Sequence, residues 1–205
     1  MPRIRARPDA PRFFEVDPKH TNVEFQTLMG RALDVLKKNP TSVSQRAHRA
    51  ITRGEVKVDL LSDLTREDFR RVRKTLAGWG FSIPDEAYAT LHDRRTRASR
   101  AITQNMRGYQ WDNRIYVDGG LGPTALARVL VHEVNHVLNK SEEHYRGDKS
   151  ALREEYRAAL AERLFDGDTM TAKKCLALKK AIIALYGLSK ASPDDVADFP
   201  EDRAR

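Results

Sequence analysis

One hexapeptide, Val131-His132-Glu133-Val134-Asn135-His136, combines residue types and a spacing suited to hydrolytic chemistry. On a helix, histidines four positions apart project from one face a turn apart, so two imidazoles can reach one metal ion. Glu133 adjoins the first of them. A carboxylate in that place can take a proton from a water held by the ion and hand it to a leaving amine, which is general acid and base work. The bland alternative is a pair of core histidines on an apolar helix. Two imidazoles and an acid are costly to bury there unpaired, and a cation offsets that cost.

The elements that must position these residues are legible around them. Gly122-Pro123-Thr124 supplies a turn, a proline suited to a first helical position and a cap. Leu126, Val129, Leu130, Val134, Val137 and Leu138 then follow at helical spacing. A polar, glycine-containing loop over 139–149 leads to a second amphipathic helix that begins near Ser150, carries Glu154 and Glu155, and stops at Gly167. Upstream, Tyr109 to Gly120 reads as a turn followed by a short strand bounded by glycines.

Over roughly Tyr109 to Phe165, the His132-Glu133-x-x-His136 helix and the acid-bearing helix after it resemble the gluzincin branch of zinc metallopeptidases. The resemblance implies an α+β, minimal zincin-like fold, mostly helical, with a small sheet whose edge strand borders the cleft. It further implies one Zn2+ per chain, a glutamate on the later helix as third ligand beside His132 and His136, and a protein or peptide substrate that pairs with the edge strand. Adjacent helix positions point about 100 degrees apart, so Glu154 and Glu155 cannot both serve. Glu155 is the better choice, because Ala158, Ala159 and Ala161 would let its helix come close, similar to the Glu-x-x-Ala arrangement of several small gluzincins. Glu154 remains the alternative, and one of the two is expected on a solvated face beside Arg157 or Arg153.

Two other third ligands rank lower. His144 follows His136 by eight residues without the glycine and closer histidine of the metzincin pattern, and Asp148 in Arg146-Gly147-Asp148 could serve as an aspartate ligand from the loop. His144 and Tyr145 are instead candidate donors to the oxyanion that develops on an attacked carbonyl, a role zincins often give to Tyr, His or Arg.

At 205 residues and 40% hydrophobic content the chain is long enough to bury one real core. Residues 1–20 read as a disordered basic arm and 21–190 as one domain. Within it, 21–108 is mainly helical, 109–167 is the catalytic part and 168–190 a last helix; a flexible tail covers 191–205. A capping box at Thr21-Asn22-Val23-Glu24 opens a helix to about Lys38, and Thr41 or Ser42 opens another that ends before Gly54. Glu55 to Leu61 alternates as a strand, and a third helix runs from Thr65 towards Gly78. A further helix is expected after Pro84, and 98–106 fits strand or helix. The single cysteine, Cys175, lies in an amphipathic helix over 171–186 and is expected buried and reduced.

No apolar run approaches a membrane span, and no charged start with an apolar core marks a secretory signal. Charge is uneven: residues 1–110 carry 22 Lys and Arg against 13 acids, whereas 111–205 carry 15 against 16. Arg94, Arg95, Arg97 and Arg100 concentrate that excess, which keeps a basic nucleic-acid-binding module open as a rival reading, although no nucleic-acid motif accompanies it. A zincin-fold regulatory protein that binds a partner through its cleft is a second rival. A short, disulfide-free chain with a basic arm also resembles bacterial toxin or effector peptidases. That likeness implies a protein made in the bacterial cytoplasm and delivered outside the cell, or into a target cell, without a cleaved signal peptide.

Overall fold

A computed structural model describes residues 23–78, 108–111, 113–139 and 147–197. In chain order they form α1 (Val23–Lys38), α2 (Ser42–Thr52), β1 (Lys57–Leu60), α3 (Arg66–Gly78), β2 (Gly108–Trp111), β3 (Arg114–Val117), α4 (Pro123–Leu138), α5 (Asp148–Phe165) and α6 (Ala172–Tyr186). Short 3-10 turns follow β1 and α6 at Leu61–Asp63 and Pro193–Asp195. The class is α+β, mostly helical, as the sequence implies.

The N-terminal hairpin forms where capping and periodicity place it. α1 buries Phe25, Met29, Ala32, Leu33 and Leu36, spaced as one helical face. Thr41 caps α2 by accepting from the Ser44 amide. Ser44 Oγ then donates to Leu36 O at 2.9 Å and Gln45 Nε2 to Asn39 O at 2.8 Å, which ties the two helices at their junction.

The sheet has strand order β1-β3-β2, with β1 parallel and β2 antiparallel to β3. Alternation sends Ile115 and Val117 into the core, while Arg114 on the other face pairs with Asp59 of β1 at 2.6 Å. Two expectations are corrected here. The stretch from Tyr109 to Trp111, read as a turn, belongs to β2, because it pairs residue by residue with β3. The strand just before the histidine helix is β3, which lies at the centre; the edge strand on that side is β2.

α4 is the hub. α1, α2 and the sheet pack on it, and it buries Leu126, Val129, Leu130, Val131, Val134 and Val137. Each such side chain contributes about 1.5–3 kcal/mol by leaving water, so the packing holds α4 firmly even though it also buries polar groups. α5 packs against α4, and its opposite face meets α6, so α5 is covered on both sides. α5 begins at Asp148, two residues earlier than expected, after Gly147 at φ 149. α6 starts from the Thr171 cap and ends on Gly187, a left-handed residue at φ 62. Cys175 is buried, as expected.

Residues 191–197, expected to be flexible, are instead packed. Ser192 and Asp195 form a capping box, Val196 is buried, and the Lys179 ammonium on α6 donates to Val196 O at 2.5 Å. The basic arm, Thr21 and Asn22, the segments after Pro84 and over 98–106, the Arg94 to Arg100 cluster, His144 and Tyr145 lie outside the described residues. Among the described residues no helix is long and apolar enough to cross a membrane.

Candidate metal centre

His132 and His136 sit one turn apart on the face of α4 that meets α5, and both present Nε2 to a single point, 3.1 Å from each other. The rings meet edge to face, with centroids 4.9 Å apart. From α5, Glu155 brings Oε2 to 3.8 Å from each of those nitrogens. Ala158, nearly one turn on from Glu155, is fully buried, and Ala161 packs into the main core. His136 and Glu155 are themselves buried, and His132 is half-buried.

These three donors fit a cation. A point equidistant from the three atoms lies about 2.1 Å from each, which is the bond length of imidazole nitrogen or carboxylate oxygen to an ion such as zinc. Two neutral imidazoles and one carboxylate are also the donor types such an ion takes, with room for a fourth position. The electrostatics agree with the geometry. Burial works against charge on His132, yet the carboxylates of Glu162, Glu133 and Glu155 outweigh it and push that imidazole up to about 9. The site therefore favours a positive charge at this point.

Glu133 does not ligate. It is buried, and burial, with Glu155 and Glu162 adding repulsion, pushes its carboxyl up to about 7 against the opposing pull of His132. Its position is set from β2. An added Cβ at Gly108 would fall 2.7 Å from Glu133 Oε1 and 2.7 Å from Val129 Cγ1, so the edge strand runs hard against the acid with no space for a side chain.

Comparison with family models, curated proteins and solved structures returns no match for this chain. The site must therefore be read from its own residues.

The arrangement separates the residues that the sequence left as alternatives. Glu155 joins the histidines and Glu154 does not. Glu154 points away and pairs with Arg157 at 3.3 Å, but it is buried rather than solvated, because it shares a helical face with Ala161 and Phe165, which pack into the main core. Asp148 is no ligand either: its Oδ2 accepts from the Lys190 amide at 2.7 Å, near the far end of the helix pair.

Three residues escaped the sequence reading. Gly108 carried no signal beyond being a glycine. Glu162 stands seven residues after Glu155 and so shares its helical face, a periodicity that could have been used; its Oε2 lies 3.8 Å from His132 Nδ1. Tyr186, the last residue of α6, donates its hydroxyl to Glu155 and is held well above the usual phenol range by burial, then by Glu155, with Glu133 and Glu162 contributing. Nothing local in the sequence places Tyr186 here, since only the docking of α6 on α5 does so.

Proposed function

We propose that the chain is a zinc metallopeptidase of the gluzincin kind, with zinc held by His132, His136 and Glu155. The observation that carries this reading is the convergence of two Nε2 atoms and one carboxylate oxygen at bonding distance from one point, with a buried second acid beside them. When bound, zinc supplies a Lewis acid and lowers the pKa of a coordinated water to about 7.

The chain's own residues supply the rest. Glu133 accepts the proton of the attacking water and returns it to the leaving amine, work that its buried place beside the ligands suits. Tyr186 donates its hydroxyl to Glu155 and so orients that carboxylate as a ligand. β2 pairs with β3 along one edge, and its Gly108 touches Glu133, so a peptide extended along its other edge passes beside the acid. A toxin or effector role belongs to this reading through the resemblance described above.

The test is cleavage of a proteome-derived peptide pool by zinc-loaded parent and by Glu133→Gln, with new N-termini identified by mass spectrometry. The parent should generate a recurrent set of cuts that the variant lacks. The same set from both proteins at matched zinc content would overturn the proposal.

A further inference from the structure

α4 and α5 pack antiparallel, and their seam carries a ladder of polar rungs. Arg128 of α4 binds Asp166, the residue that caps the end of α5, at 2.7 Å; one turn on, His132 faces Glu162; another turn on, His136 faces Glu155. On α4 the rungs are spaced by four, and on α5 they run backwards through 166, 162 and 155, which are positions of one helical face. The seam thus delivers two carboxylates to His132 from opposite sides. Glu155 approaches Nε2, and Glu162 approaches Nδ1, each at 3.8 Å.

An imidazole that gives Nε2 to a metal must carry its proton on Nδ1, and an acceptor at Nδ1 fixes both the tautomer and the plane of the ring. From this geometry we infer that Glu162 is a positioning residue: its carboxylate accepts the Nδ1 proton of His132 and aims Nε2 at the metal. The inference rests on the metal site proposed above. A shift of about 1 Å along the existing line brings the pair into direct hydrogen-bond range. Glu162 is free to make it, because its side chain is 32% exposed and is not wedged in the core. The same exposure means that its removal leaves no cavity. An effect on metal binding would then come from the imidazole and not from the fold.

The partner on the next rung provides the control. Asp166 holds α5 to α4 through Arg128 but touches neither histidine, so Asp166→Ala perturbs helix docking without touching the ring. Metal-stripped full-length parent, Glu162→Ala, Glu162→Gln and Asp166→Ala should be titrated with Zn2+ in competition with a chromogenic chelator. Thermal melts of the stripped proteins are recorded alongside. Glu162→Ala should weaken zinc binding about 10- to 100-fold, the usual cost of losing such a partner, with the melting temperature of the stripped protein unchanged. Glu162→Gln, which keeps an acceptor oxygen, should bind more tightly than Glu162→Ala. Asp166→Ala should keep the parent's affinity. Parental affinity in Glu162→Ala, or an equal loss in Asp166→Ala, would overturn the positioning role while leaving the metal site standing. A parent that binds no zinc would overturn the metal site itself.

Discussion

Replacing Gly108 with alanine puts one methyl group where the fold has no room for it. The new Cβ would lie 2.7 Å from Glu133 Oε1, 2.7 Å from Val129 Cγ1 and 2.9 Å from Glu133 Cγ. Ordinary contacts between such atoms are about 3.5–4.0 Å, so the neighbours must retreat by roughly 0.6–1.3 Å. β2 cannot back away freely, since it is paired along its length with β3, and Val129 is buried in the core. The Glu133 side chain is therefore what yields. Displacing a reacting group by about 1 Å costs on the order of 100-fold in rate, or about 2.7 kcal/mol of barrier. Overpacking should also cost about 1–3 kcal/mol of stability, which lowers the melting temperature by roughly 2–12 °C in a chain of this size. Zinc affinity should be kept, because the atoms nearest the new methyl group belong to Glu133 and Val129 and not to His132, His136 or Glu155. The assay is kcat/KM on a quenched-fluorescent peptide that the parent cuts, at matched zinc content. Undiminished activity in Gly108→Ala would refute the idea that the strand fixes the acid.

The remaining predictions concern the ligands and their surroundings. Glu155→Gln should weaken zinc binding far more than Glu154→Gln in a chelator competition, whereas Glu154→Gln should lower thermal stability by breaking the buried pair with Arg157; the opposite order would place the ligand one residue earlier. Tyr186→Phe should weaken zinc binding about 10- to 100-fold in the same competition, the usual cost of a hydrogen bond lost from a metal ligand, and parental affinity would refute that role. A pH series on metal-free protein tests the electrostatics. Burial pushes Glu133 up to about 7; burial opposes charge on His132, but Glu162, Glu133 and Glu155 prevail and push it up to about 9. Both groups bind protons more tightly folded than unfolded, where about 4.3 and 6.5 apply, so each contributes stability that is complete below its unfolded value and lost as pH rises through its folded one. The melting temperature of stripped protein should thus fall across that window, and a flat or rising curve would contradict the assignment.

Local signals carried much of this architecture. The Thr41 cap, the proline at the start of α4, the glycines that end helices and the apolar periodicity of α1 and α4 are interactions within a few residues, so sequence exposes them directly. The choice of Glu155 was legible for a related reason, because small residues at 158 and 161 reveal which side of α5 comes close to another helix. What escaped depends on tertiary contacts. Trp111 and Tyr109 become strand only through pairing with β3, and β3 is central only because β1, 55 residues earlier by its Asp59–Arg114 pair, docks on its other edge. Glu154 looked solvated, yet it shares a helical face with Ala161 and Phe165, which only the tertiary packing turns into the main core. Gly108 and Tyr186 reach the site from elements well separated from the histidine motif, so their roles are set by packing and not by spacing.

The central claim is that His132, His136 and Glu155 together hold one zinc ion. Its most direct test is elemental analysis of protein purified without chelator, for the parent and for His132→Ala, His136→Ala and Glu155→Ala, each checked for native fold by circular dichroism. The account predicts about one zinc per chain in the parent and loss of most of it in each variant, since each removes one of three protein ligands. A parent without zinc, or folded variants that all retain it, would contradict the account.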